Sequence, residues 1–125
     1  MLILFMKLTS IASSKKPLFK AKIKITTQLD PKAPYYAFTA IGNPERFYQL
    51  LEDNKISIQG KKSFPDHYNY TKEEISDLQQ MAKTNQHHLL TTRKDFVKIT
   101  NSSNITSVDV ELEIDNTNKY LSYIL

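Results

Sequence analysis

The sequence contains no cysteine and only two glycines, Gly42 and Gly60. Without thiols there are no disulfides and no thiolate metal sites, which is consistent with a cytosolic chain. Two glycines are too few for a loop built on several of them, and the phosphate cradle G-x-x-x-x-G-K-[ST] of nucleotide kinases is absent. Also missing are a serine-centred nucleophile elbow, an acidic metal-binding pair on an apolar strand, and the aromatic signature of RNA-binding modules. Nucleic acid is therefore not an expected partner. No internal repeat or low-complexity tract occurs. The apolar opening run, MLILFM, stops at Lys7, whereas a membrane-spanning helix needs about 20 such residues. No positive charge precedes the run, as a signal peptide requires, although the small residues of SIASS follow it. It reads as a buried strand or as a terminus separated from its original context.

What is present has an ordinary globular balance. A chain of 125 residues suits one domain with a modest core. Hydrophobic residues at 40% and charged residues at 24% lie near the soluble norm and argue against wholesale disorder. The net charge of +4 leaves two readings, attraction to phosphate groups or a lysine-rich solvated surface. The lysines are spread along the chain in no arginine-rich block, which favours the second.

Hydrophobic patterning alternates strands and helices. AKIKIT (21–26) has the period-two pattern of a half-exposed strand. DPKAP (30–34) is a proline-rich linker, and the aromatic, β-branched YYAFTAI (35–41) reads as a buried strand. Gly42-Asn43-Pro44 switches the chain into a helix, with Asn43 as its cap and Pro44 at its first position. Phe47, Leu50 and Leu51 form the apolar face of that helix. A strand begins at Ile56-Ser57-Ile58 and leads to Phe64. Thr71 and Glu74 have capping-box spacing, followed by the stripe Ile75, Leu78, Met81 and Ala82, which reads as core packing. HHLLTT (87–92) is a third buried strand and RKDFVKI a short turn or helix. VDVELEI (108–114) alternates like a strand with one wet face, and TNKYLSYIL (117–125) reads as a closing helix.

Strand, helix, strand, helix, strand is the pattern of right-handed crossovers onto a parallel sheet. The expected fold is α/β and three-layer-like, a mostly parallel sheet with flanking helices. Ligands of such sheets gather beyond the C-terminal ends of the strands. IGNPE, FPDHY and TTRKD fall at those ends, which would collect Asn43, Asp66, His67, Thr91, Thr92, Arg93, Lys94 and Asp95. Each motif also has a plainer reading. Asp66 and His67 suit an acid–base pair, because imidazole titrates near neutrality and a carboxylate fixes its tautomer. They equally suit a loop in which Asp66 caps amides and His67 is merely exposed, since neighbours on an extended segment face opposite sides. The same alternation separates His87 from His88, and no further cluster supports a metal there. Thr91 to Asp95 suits phosphate contact, or a salt-bridged turn capped by Asp95. The Gly42-Asn43-Pro44 turn is a helix cap whose N–H groups could also face an anion.

Taken in order, IGNPERF, FPDHYNY and TTRKD resemble the C-terminal part of tetraacyldisaccharide 4′-kinase, the lipid A kinase of Gram-negative bacteria. The family pattern is close to G-I-G-N-P-x-R-F, then F-x-D-H-x-x-[FY], then T-x-K-D. The resemblance runs from about Lys16 to Ile114, with KPLFKAKI as the lead-in strand. It departs at Ala40, where glycine is usual, at Arg93, where glutamate is common, and at Tyr68, where histidine or proline is frequent. The resemblance implies the C-terminal lobe of a P-loop NTPase-like kinase, without the P-loop. It implies the family activity in lipopolysaccharide synthesis, ATP-dependent phosphorylation of the 4′-position of a tetraacyldisaccharide 1-phosphate. ATP and Mg2+ are the implied cofactors, their main ligands lying outside this sequence. His67 would orient or tune an aspartate base from the N-terminal half, with Asp66 in support. Asn43, Thr92, Lys94 and Asp95 are the candidate cofactor contacts, and no metal ligand is assigned.

The domain expectation is a tail or N-terminal remnant over 1–15 and the C-terminal lobe over 16–125. The implied partners are a separately encoded N-terminal kinase half and the lipid A precursor. The implied location is cytoplasmic, touching the inner membrane only peripherally, through a partner. Because the phosphate loop and metal supply most of the electrostatic stabilisation in phosphoryl transfer, this chain alone is expected to be inactive. Two alternatives stand beside the split enzyme: a non-catalytic remnant of a split gene, and a stand-alone module for anionic ligands.

Overall fold

The computed structural model describes residues 21–114 and 119–123. The expectations for the MLILFM run, for the part of KPLFKAKI before residue 21 and for a boundary near residue 15 lie outside them. The elements in chain order are β1 (Ala21–Ile25), β2 (Tyr35–Thr39), α1 (Pro44–Asp53), β3 (Ile58–Ser63), α2 (Lys72–Asn85), β4 (His88–Thr92), α3 (Arg93–Phe96), β5 (Ile105–Val108), β6 (Val110–Ile114) and β7 (Lys119–Tyr123).

The strands form two sheets. One is a four-stranded parallel sheet in the order β3-β2-β4-β5, and the other a three-stranded antiparallel sheet in the order β1-β6-β7. The expected parallel sheet with flanking helices is present. Its central strand β2 alternates its core contacts between two faces. Tyr35 and Ala37 join Phe47, Leu50 and Leu51 of α1, together with Leu90 and Val108. Phe38 joins Ile75, Leu78 and Ala82 of α2, together with Leu89 and Ile105. Both faces being covered explains why β2 and β4 read as continuous apolar runs rather than as alternation. Burying an aromatic such as Phe38 or Phe47 fully, as here, contributes about 1.5–3 kcal/mol relative to exposure.

Helix boundaries follow local chemistry. At α2, Thr71 accepts from the Glu74 amide at 3.0 Å while Glu74 Oε1 accepts from the Thr71 amide at 2.9 Å, the reciprocal pair its spacing predicts. At α1, Pro44 starts the helix as expected, but Asn43 makes no side-chain cap bond. Its ψ is 82°, against 158° at Thr71, so its side chain is not presented to the helix amides.

Two other expectations change. The strand read over 108–114 is divided: Val108 ends β5 in the parallel sheet, Asp109 turns the chain, and β6 begins at Val110 in the antiparallel one. The helix read over 117–125 is, across its described residues, the strand β7 paired antiparallel to β6. Strand formation depends on a neighbour offering a ladder, which a short apolar run does not announce.

Candidate functional site

In the parallel sheet the chain goes from β2 to β3 on one side and then crosses back to β4 on the other. The strand order reverses there, at the C-terminal ends of β2 and β4, which is where open α/β sheets place their crevices. The three segments after β2, β3 and β4 converge on this edge. The loop after β3 is stitched to the end of β2 by main-chain bonds: the Phe64 amide donates to the Thr39 carbonyl at 2.8 Å, and the His67 amide to the Ala40 carbonyl at 3.0 Å. Gly42 lies against the same loop, since a Cβ there would come within 3.1 Å of Asp66 Oδ2.

Asp95 is the hub of the edge. Its side chain is fully buried. Oδ2 accepts from the hydroxyls of Thr39 and Thr92, each at 2.6 Å. Oδ1 accepts from the Ala40 amide at 3.1 Å and the Tyr70 hydroxyl at 3.0 Å. The Asp95 amide in turn donates to Thr92 Oγ1 at 3.1 Å, capping α3. One carboxylate thus ties together the ends of β2 and β4 and the segment that follows His67. Burial, then the nearby Asp95 carboxylate, push the Tyr70 hydroxyl far above its ordinary value, so it stays protonated and donates. The neighbouring Thr91 is buried too and donates to the Phe38 carbonyl at 2.7 Å.

Asp66 and His67 are built differently. Both are exposed, with side-chain accessibilities of 47% and 71%, and His67 Nε2 stands 3.7 Å from Asp66 Oδ2. They are not splayed to opposite sides, as an extended segment would place them, because His67 adopts φ 62°, in the left-handed region. A non-glycine residue there is uncommon, and such residues cluster at sites where the surroundings over-determine the backbone. Here the surroundings are aromatic. Tyr70 packs edge-on to Phe38 and Phe64, at 5.7 and 5.0 Å between centroids, and Tyr68 stacks on Phe64 at 5.2 Å. The Tyr68 hydroxyl also donates to Glu74 Oε2 at 2.5 Å, a bond that holds Glu74 below the usual carboxylate range.

The predicted residues therefore separate. Asn43, Asp66 and His67 are exposed at the edge, and Lys94 is half-buried there. Thr92 and Asp95 are internal, with their side-chain atoms engaged inside the chain, so in this structure they hold the edge together rather than face a ligand. Arg93 is turned away onto Asp109, with Nε to Oδ1 at 3.0 Å and Nη2 to Oδ2 at 2.7 Å. His87 and His88 do not act as a pair: His87 stacks against Tyr36, and His88 Nδ1 meets Asn104 Oδ1 at 3.2 Å. Among the described residues no group of three or more His, Asp or Glu could hold a metal ion. Nor is any helix among them long and apolar enough to cross a membrane. Thr39, Ala40 and Tyr70 were not singled out as site residues by sequence reading. A hydroxyl closing the apolar run of β2, and an aromatic at the last position of F-x-D-H-x-x-[FY], were the available signals.

The geometry can be set beside known proteins. The family model for tetraacyldisaccharide-1-P 4′-kinase matches residues 5–125. The tetraacyldisaccharide 4′-kinase of Rickettsia bellii is 47% identical over 110 residues, which is 87% of this chain and 34% of that protein. The enzyme of the same name from Rickettsia akari is 44% identical over 97 residues, 77% of this chain and 30% of that one. The crystal structure of the "apo" form of LpxK from Aquifex aeolicus in complex with ATP aligns with a TM-score of 0.55 and 21% identity, covering 83% of this chain and 36% of that one. At that identity the likeness establishes a shared fold. With a family match over nearly its whole length, and spanning about a third of the curated relatives it matches, the chain belongs to the tetraacyldisaccharide-1-P 4′-kinase family.

Proposed function

We propose that this segment forms one wall of the catalytic cleft of a tetraacyldisaccharide 4′-kinase, and that the wall holding ATP belongs to the two thirds of the family architecture that this chain does not span. The reaction would move the γ-phosphoryl group of ATP to the 4′-hydroxyl of a tetraacyldisaccharide 1-phosphate. In this reading His67 projects from the edge and orients or tunes a base supplied across the cleft. Asp66, on the same side of the turn, biases the imidazole tautomer. Lys94 and Asn43 stand at the same edge, where a cation and an amide suit phosphate oxygens. ATP and Mg2+ would be gripped mainly by the other wall. The residues here include neither a phosphate loop nor an acidic cluster among those described, so no step through the metal is assigned to them.

The observation that carries the reading is the convergence of three separate motifs on one sheet edge, with His67 exposed in a conformation that its loop bonds enforce. A decayed remnant is the weaker reading, because decay would not be expected to preserve a buried carboxylate with four donors in place. A stand-alone anion-binding module is weaker still, since the exposed residues of the edge include the carboxylate of Asp66.

Co-expression with the remaining two thirds of the Rickettsia bellii kinase tests the proposal. The pair should phosphorylate tetraacyldisaccharide 1-phosphate with ATP, this chain alone should not, and His67→Ala should lower the rate of the pair by about 100-fold or more, the usual scale of acid–base assistance. No activity from the pair, in an assay where the Rickettsia bellii enzyme's own C-terminal third does restore it, would overturn the reading.

A further inference from the structure

We infer that Asp95 and Tyr70 are positioning residues for His67, a role that rests on reading His67 as the group that faces the reaction. Asp95 follows β4, and its carboxylate receives Thr39, Ala40, Tyr70 and Thr92. It holds this loop at two points, the His67 amide through Ala40 and the Tyr70 hydroxyl directly. Its Oδ1 receives the Ala40 amide, and the carbonyl of that same Ala40 receives the His67 amide. The same Oδ1 receives the Tyr70 hydroxyl, three residues beyond His67. The histidine amide and the residue three beyond it are thereby tied back to one oxygen atom. Its backbone takes φ 62° within this tied loop. The αL basin costs an L-residue about 1–2 kcal/mol, and the bonds that tie the loop to the Asp95 hub offset it.

Other features of the loop do not do this. Tyr68 meets the Tyr70 ring edge-on at 5.9 Å, but its hydroxyl donates to Glu74 on α2 and not to the hub. Gly42 only leaves room for Asp66. Pro65 accepts the Tyr68 amide at 3.0 Å, which closes the turn without fixing it to the sheet. Tyr70 is the one aromatic of the loop whose hydroxyl reaches the hub, and its ring stays packed between Phe38 and Phe64 when only the oxygen is removed.

The test uses the full chain, labelled with 15N, as wild type and as Tyr70→Phe and Tyr68→Phe. Each variant removes one hydroxyl and keeps one ring. In Tyr70→Phe the His67 amide should exchange with solvent about tenfold faster, the scale of one lost hydrogen bond, and the His67 ring resonances should shift. In Tyr68→Phe both should match wild type. Tyr70→Phe should also lower global stability by about 1 kcal/mol, reported by amides in the centre of β2, and the His67 change should exceed that shared change. A His67 amide that exchanges alike in the two variants, or that changes only in step with β2, would overturn the inference. The kinase readout is separate. In the co-expressed pair, Tyr70→Phe should lower kcat by about tenfold to a hundredfold, the scale of a small misplacement, with KM for ATP unchanged. It should add no further loss on a His67→Ala background. If His67→Ala itself leaves kcat intact, the catalytic reading falls while the exchange result still reports whether the brace exists.

Discussion

Asp95 and Asp66 sit at the same sheet edge, one after β4 and the other after β3, and could hardly be more different. Asp95 is sealed from solvent and receives four donors. Asp66 is half exposed, and the ionic neighbour it has among the described residues is His67 at 3.7 Å. The same side chain serves as a structural knot in one place and as an available reagent in the other. What separates them is the supply of donors. Asp95 sits in the first turn of α3 beneath two strand ends that offer hydroxyls and an amide, whereas Asp66 rides a turn whose main-chain bonds are made by its neighbours. Asp109 lies between the extremes, about 39% exposed but held by both nitrogens of the Arg93 fork.

Asp95→Ala should have the greatest effect at this edge. It strands an amide and a tyrosine hydroxyl in the interior and leaves two threonine hydroxyls to find new partners. Each buried unsatisfied group costs about 1–3 kcal/mol, so a loss of about 3–5 kcal/mol is expected in a urea titration followed by circular dichroism. A loss under about 1 kcal/mol would mean the knot is dispensable. Asp66→Ala should move the same titration by no more than about 0.5 kcal/mol, and His67→Gly should hold or raise the midpoint, because glycine accepts φ 62° without the αL penalty.

Gly42→Ala sharpens the contrast. The new methyl would press on Asp66 Oδ2, a carboxylate at the end of an exposed side chain that can swing aside. The expected result is a melting temperature near that of wild type, together with altered Asp66 and His67 side-chain resonances. A large loss of stability would show Asp66 to be less free than its exposure suggests.

The smallest effect concerns pH. The bonds from Arg93, joined by Ser107, hold the Asp109 carboxyl below its ordinary value despite some opposing desolvation. The folded state then binds fewer protons at Asp109 than the unfolded state does, so stability rises with pH through the acid range. The contribution is complete above the unfolded pKa and disappears as pH falls through the lower, folded one. Solvent screening keeps it small for a pair this exposed. Asp109→Asn should flatten the acid limb of the stability profile slightly, lowering neutral stability by a correspondingly small amount and converging on wild type at low pH.

How much of this was legible beforehand follows from the range of each interaction. The α2 cap was readable because Thr71 and Glu74 satisfy each other within one turn. β2 and α1 were readable from a dense apolar run and a stripe of matching period. The strand break at Asp109 was not, because VDVELEI keeps one alternating pattern through a point where the chain changes sheets. The strand β7 was hidden for a related reason, as its identity lies in its pairing with β6. Arg93 was legible as a cation at the edge, yet its partner at position 109 is not signalled by the local motif.

Family, α/β class and the delivery of three motifs to the ends of parallel strands are written locally along the chain, since apolar periodicity and capping chemistry act over a few residues and leave a trace there. Which aspartate is internal and which is presented, and why His67 takes a left-handed turn, follow from contacts made across the fold. Those outcomes depend on hydrogen bonds between residues as far apart as Thr39 and Asp95, which form once the strands have brought their ends together.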